Sequence, residues 1–109
     1  MKKYVTELTT LEERKKIRVQ LDHRFALVAI FEHQPYAILD KCPHMGAMLS
    51  TGKYENGVIV CKDHALSVSV VDGLVTDHVK ADFLKMESYA RDVRTFRCEV
   101  DNGKVYINY

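Results

Sequence analysis

The sequence predicts a mostly β protein, an antiparallel β-sandwich with one or two short helices, and three observations carry that prediction. Short runs alternate apolar and polar positions, so that Ile17, Val19 and Leu21 share one face, Phe96, Cys98 and Val100 another, and Val105 and Ile107 a third. Between the runs stand Asn56-Gly57, Asp72-Gly73 and Asn102-Gly103, dipeptides that accept the positive φ angles of tight hairpins. The chain has 109 residues, the length of one domain, and it shows no internal repeat.

In chain order, "TTLEER" resembles a capping box, with Thr10 and Glu13 three apart, and predicts a single helical turn. Strands are expected at "KKIRVQL", "RFALVAIF", "YAIL", "GVIVC", "LSVSVV", "TFRCEV" and "KVYINY", with His23 and His33 at hairpin turns. One segment departs from the strand pattern: residues 79–92 place Val79, Phe83, Met86 and Ala90 at helical spacing among good helix formers, with His78 just before them.

Composition narrows the function classes. A hydrophobic fraction of 47% and a charged fraction of 28% are ordinary for a globular protein. The net charge of +1 supplies no bulk field for nucleic acid or a membrane surface. The basic run Arg14-Lys15-Lys16 is balanced by Glu12 and Glu13 and reads as a solvated edge. No apolar run approaches the length of a membrane span, and the two N-terminal lysines lack the hydrophobic stretch of a signal peptide, so a cytoplasmic location is expected. Three cysteines cannot all pair internally, and in a reducing compartment metal binding is their better use. No phosphate-binding glycine loop, nucleophile elbow or paired-carboxylate site is visible.

The chemistry is concentrated in "CPHMG" and "CKDH". Cys42 and His44 have one residue between them, Cys61 and His64 have two, and sixteen residues separate the pairs. Each pair stands beside a turn, where functional side chains are commonly displayed. A tetrahedral Cys₂His₂ zinc site, in a zinc-stabilised interaction module, uses the same residue types, but the usual finger spacing gives both cysteines to one half and both histidines to the other. Here each half supplies one of each, an order suited to two metal positions side by side. Cys98, on an alternating strand, reads as a small buried hydrophobe.

The motif C-x-H, then about sixteen residues, then C-x-x-H resembles the Rieske box, and the likeness runs from "KKIRVQL" to "CEVDNGKVYIN". The chain resembles small soluble Rieske-type ferredoxins and the equally small Rieske-like subunit of assimilatory nitrite reductase. The resemblance implies one domain over residues 1–109, with a cluster-binding lobe at roughly 40–76. It also implies one 2Fe-2S cluster per chain, with Cys42 and Cys61 on one iron and His44 and His64 on the other. Two ferric ions, two sulfides, two thiolates and two neutral imidazoles sum to zero, so reduction takes the site only to −1. An all-cysteine site would go from −2 to −3, which is why histidine ligation raises the potential.

The implied role is a one-electron carrier rather than an enzyme, moving electrons from a flavoprotein reductase to a terminal ring-hydroxylating oxygenase. The alternative is service beside the large subunit of a nitrite reductase. The implied docking tip is His44 and His64 with Met45, Met48, Lys62 and Leu66 around them. At the positions of the loop disulfide found in high-potential Rieske proteins stand Ala47 and Asp63. At the positions of their serine and tyrosine donors stand Leu66 and Val68, which donate nothing from their side chains. These differences, with the charge of Asp63, place the expected potential at the low end of the Rieske range. Ala65 replaces the usual glycine, and with only Pro35 and Pro43 in the chain the usual proline loop over the cluster is missing. Residues 79–92 are the candidate cover.

Overall fold

The computed structural model of the protein describes residues 1–42, 47–62, 66–76 and 93–109. The helix expected at 79–92 lies outside the described residues, as do His44, Met45, Asp63, His64, Ala65 and His78.

The run "RFALVAIF" is apolar on both faces, and that property organises the molecule. As β3 (Arg24–Phe31) it pairs antiparallel with β2 (Lys16–Leu21) on one side and with β4 (Gln34–Leu39) on the other. Successive strand side chains point to opposite faces. Ala26, Val28 and Ile30 therefore enter one core, and Leu27 and Ala29 enter a second. The first core is closed by β1 (Lys2–Glu7), β8 (Thr95–Asp101) and β9 (Lys104–Asn108), giving a six-stranded sheet in the order β1-β9-β8-β4-β3-β2. Val19, Leu21, Phe96, Val105 and Ile107 fill it.

The second core lies against the other face of β3 and β4, and Leu27, Ala29 and Ile38 are its floor. Above that floor is a three-stranded sheet of β5 (Lys53–Glu55), β6 (Val58–Val60) and β7 (Ser67–Ser69). Its Ile59 and Val68 are fully buried. The expected strands are present, in an antiparallel, mostly β architecture of two sheets. Val100 is the exception to the predicted faces, 43% exposed at the end of β8 where the strand runs past the core to its turn.

The turns follow their residues. Asn56 and Gly57 have φ of 51° and 82°, and Asn102 and Gly103 have 53° and 73°, the left-handed pair that matches the twist of a hairpin. Glu32 and His33 adopt the same geometry at 51° and 66° without a glycine, and β3–β4 pairing holds them there. At Asp72-Gly73 only the glycine has positive φ, 74°, and the Asp72 carboxylate accepts from the Leu74 amide at 3.0 Å. That is an aspartate-capped turn rather than a two-residue hairpin.

The expected single helical turn is a seven-residue helix, α1 (Leu8–Arg14), whose Leu11 is fully buried in the first core. Thr10 does not cap it. The N-cap is Glu7, with no side-chain cap bond, and the Leu8 amide donates to the Gly103 carbonyl at 2.8 Å. The helix stops at Lys15, φ 76°, whose amide bonds back to the Leu11 carbonyl at 2.7 Å. Among the described residues no helix is long and apolar enough to cross a membrane.

Candidate metal centre

Two loops leave the ends of strands in the same way. Cys42 follows β4 and its amide donates to the Ala47 carbonyl at 2.6 Å; Cys61 follows β6 and its amide donates to the Leu66 carbonyl at 2.8 Å. Each loop is therefore closed between its cysteine and the fifth residue after it. In sequence, His44 and His64 fall inside these two closures, and both lie outside the described residues.

Both cysteines are buried, at 1% exposure each, and both belong to the second core together with Leu49, Ile59, Leu66 and Val68. The sequence left them nineteen positions apart. What joins them is the connection between the loops. A 3-10 turn (Leu49–Thr51) leads into Gly52, whose amide donates to the Leu49 carbonyl at 2.9 Å. A side chain at Gly52 would occupy the place of the Val60 carbonyl, so only glycine permits this approach. Lys53 then pairs with Val60, the residue before Cys61. The strand leaving the first loop is thus hydrogen-bonded to the strand entering the second.

A buried carboxylate fixes the base of the first loop. The Asp40 side chain is fully buried and accepts from Arg18 Nε at 2.7 Å, the Ser50 amide at 2.7 Å and Ser50 Oγ at 2.6 Å. Its amide donates to the Phe25 carbonyl at 2.9 Å, extending the β3–β4 ladder toward Cys42. Lys16 Nζ donates to the Ser50 carbonyl at 2.6 Å, and the Arg18 guanidinium lies 3.6 Å from the centroid of the Phe25 ring. Sequence reasoning missed Asp40, Arg18 and Ser50. Their signal is a contact between three distant segments, to which periodicity is blind.

Leu66 differs from its expected place. It is fully buried beside the cysteines, not on a docking rim, because closure of the second loop turns its side chain into the core. Val68 is likewise fully buried, whereas Met48 is 42% exposed and Lys62 is exposed. Ala47 packs partly buried on the same core. Cys98 stands apart. It packs against the first core, on the other side of β3, and burial pushes its thiol up to about 12. At neutral pH it is a protonated, inert thiol. His33 is in a turn, its Nδ1 2.8 Å from a Glu12 carboxylate oxygen.

The donor chemistry fits a 2Fe-2S group. Two thiols enter one apolar core from equivalent positions in two similarly closed loops, and low-polarity walls of leucine and valine exclude water from sulfur ligands. In solved structures the same fold recurs. A chain from a complex of reduced oxygenase and oxidised ferredoxin in carbazole 1,9a-dioxygenase is 24% identical with a TM-score of 0.82, covering 97% of this chain and 91% of that one. The ferredoxin of carbazole 1,9a-dioxygenase from Nocardioides aromaticivorans IC177 is 21% identical with a TM-score of 0.78, covering 96% of each chain. In a fluorene-bound oxygenase and ferredoxin complex of a carbazole 1,9a-dioxygenase, the likeness is 21% identity and a TM-score of 0.81, over 97% of this chain and 28% of that one. No curated protein matches the chain by sequence. The model of one family, described as the Rieske [2Fe-2S] domain, matches residues 2–82 and so spans both cysteine loops and the strands that carry them. The chain belongs to the Rieske family, whose cofactor is a 2Fe-2S cluster.

Proposed function

We propose that this protein is a soluble, cytoplasmic one-electron carrier, a Rieske-type ferredoxin. In this reading Cys42 and Cys61 hold one iron of a single 2Fe-2S cluster and His44 and His64 hold the other. Residues 1–109 form one domain, and roughly 40–76 form its cluster-binding lobe. The observation that carries the reading is the pair of equivalently closed loops, each opening on a buried cysteine of one shared core.

When bound, the cluster supplies a one-electron couple. The chain's own residues do the rest. Leu49, Leu66 and Val68 wall the thiolates away from water, and the carboxylate of Asp40 holds the first loop against the 3-10 turn. A backbone fixed in this way changes little when the charge at the centre changes, which keeps reorganisation small.

The partners in this reading are a flavoprotein reductase as donor and a terminal ring-hydroxylating oxygenase as acceptor, docking around His44 and His64. Similarity to the ferredoxin of a carbazole 1,9a-dioxygenase favours this over the nitrite reductase subunit. The test has two stages. The protein isolated under anaerobic conditions should contain two irons and two acid-labile sulfides per chain and, when reduced, show the low-average-g paramagnetic signal of mixed nitrogen and sulfur ligation. It should then couple NADH oxidation by such a reductase to substrate hydroxylation by such an oxygenase. One zinc and no sulfide would overturn the cluster assignment. A loaded cluster that serves no oxygenase would overturn only the choice of partner.

A further inference from the structure

Positive charge on the described surface is unevenly balanced. Along β1, β8 and β9, cations have partners: Lys2 with Glu99 at 3.2 Å, Arg97 with Glu99 at 4.0 Å, and Lys104 with Glu7 at 3.3 Å. Beside the Cys42 loop the pattern is different. Arg18, Arg24 and Lys41 line an open cleft of about 340 Å³ together with Met48 and buried Asp40. Arg94 adjoins this end of β4, its carbonyl accepting from the Leu39 amide at 2.8 Å.

Among the described residues, only Arg18 of these four cations has an anionic partner, Asp40. Among the described residues, Arg24, Lys41 and Arg94 have no carboxylate within ion-pair distance. Two of them are also held in place. The Arg24 and Arg94 guanidinium groups lie 5.4 Å and 5.1 Å from the centroid of one ring, Phe96. Fixed guanidinium groups lose less freedom on binding a carboxylate than mobile lysines do. Among the described residues, Asp22 and Asp40 stand against these four cations, an excess of two positive charges.

We propose that this cationic face docks an acidic surface patch on the protein that exchanges electrons with the centre. The inference rests on the electron-carrier reading and adds to it the charge of the partner. Cations that have no carboxylate partner among the described residues steer an anionic partner during encounter, and half-exposed Met48 supplies the small apolar contact of a transient interface. The face begins at Lys41, the residue before Cys42, so a partner seated there lies beside the first ligand loop.

The test uses the reduced, cluster-loaded protein in a stopped-flow instrument, with hexacyanoferrate(III) as an anionic probe and tris(phenanthroline)cobalt(III) as a cationic one. Each oxidant takes one electron, the first ending as hexacyanoferrate(II) and the second as cobalt(II), and the centre returns to its oxidised form. The hexacyanoferrate rate should fall as salt is raised. At low salt it should fall about tenfold in a variant carrying Arg24→Gln and Arg94→Gln, and severalfold in Lys41→Gln, whose exposed side chain is not needed for folding. The cobalt rate should not fall in these variants, and Lys104→Gln on β9 should change neither rate. Equal hexacyanoferrate rates and equal salt slopes in the wild type and all three variants would overturn the proposal.

Binding is measured in parallel by fluorescence anisotropy with a labelled hexaglutamate peptide and a labelled DNA duplex. Peptide binding that weakens in the same variants supports an acidic protein partner. Tight duplex binding lost in those variants, without peptide binding, would make the face a nucleic-acid site and overturn it. A protein without iron and sulfide would instead reject the carrier reading before either oxidant is added.

Discussion

Replacing Asp40 with alanine should be among the most damaging single changes outside the ligand set. The carboxylate is fully buried and accepts three hydrogen bonds of 2.6–2.7 Å, from Arg18 Nε and from the amide and hydroxyl of Ser50. Arg18 is 38% exposed, so its guanidinium can turn to water and recover much of what it loses. Ser50 cannot recover as easily, and each buried donor left without an acceptor costs about 1–3 kcal/mol. Breaking a buried ion pair typically costs about 3–5 kcal/mol, and the partial exposure of Arg18 places this pair at the lower end, about 3 kcal/mol. Against a total stability of about 5–15 kcal/mol that is a large fraction. Asp40→Asn keeps the shape and one acceptor oxygen and should cost less, about 1–2 kcal/mol. Urea denaturation of the loaded protein measures both. Because Asp40 joins the first loop to the 3-10 turn, iron release to a chelator should also accelerate, by up to about a hundredfold if local opening carries the whole cost. An Asp40→Ala protein within about 0.5 kcal/mol of wild type, the range of ordinary surface substitutions, would refute the reasoning.

Cys42→Ser, His44→Ala, Cys61→Ser and His64→Ala should each abolish or alter the visible spectrum of the cluster, while Cys98→Ser keeps it and lowers stability by about 1 kcal/mol; absorbance and a melting curve of each variant decide this. With its thiol pushed up to about 12, Cys98 should resist iodoacetamide at pH 8 in the folded protein and react in urea, as read by intact mass. The reduction potential should lie near the low bound of Rieske centres, about −150 mV, because buried Leu66 and Val68 offer no hydroxyl to sulfur, and protein-film voltammetry that returned a value well above zero would oppose this. The Tyr4 hydroxyl and Lys104 hold the Glu7 carboxyl below its usual 4.5, and Lys2 does the same for Glu99. A carboxyl depressed in the folded state adds stability that is present above 4.5 and lost as pH falls through the folded value. Glu7→Gln should therefore lower stability at neutral pH, where that contribution is present, and flatten the acid limb of a stability–pH curve.

The parts of the fold legible in the sequence are those whose cause is local. "RFALVAIF" reads as a strand because eight adjacent residues carry the signal, and Asn56-Gly57 reads as a turn because two residues suffice. Strand β1 could not be read in this way. Its Lys2, Lys3, Thr6 and Glu7 show no apolar alternation, and it is a strand because β9 offers it a partner, from Lys2↔Asn108 to Glu7↔Lys104. Three-residue β5 has the same origin, in pairing with β6. The helix start was misplaced for a related reason. Thr10 looks like a cap only while the Gly103 carbonyl, ninety-five residues beyond Leu8, is out of view. At the centre, residue type and spacing express coordination chemistry directly, and they single out the four candidate ligands, of which the described residues include Cys42 and Cys61 in one core. The clasp on Asp40 was not, since nothing near Asp40 in sequence announces Arg18 or Ser50.

This division explains how the fold tolerates so much sequence change. At 21–24% identity most side chains differ between this chain and its structural relatives, yet the backbones superpose with TM-scores of 0.78–0.82. The features that shape the two cysteine loops here are largely indifferent to side-chain identity. Closure uses the amides of Cys42 and Cys61 and the carbonyls of Ala47 and Leu66, and the link between the loops uses the Lys53–Val60 ladder. Side chains enter as requirements of size or polarity: none at Gly52, apolar at Leu49 and Leu66, a carboxylate at Asp40. The double-faced strand β3 separates that frame from the first core, so a change at Val28 or Ile107 is absorbed on the side away from the cysteines. The surface escapes both constraints. Arg24, Lys41 and Arg94 bear on neither the loop closures nor the second core, and that is where a protein of this family is free to fit one partner rather than another.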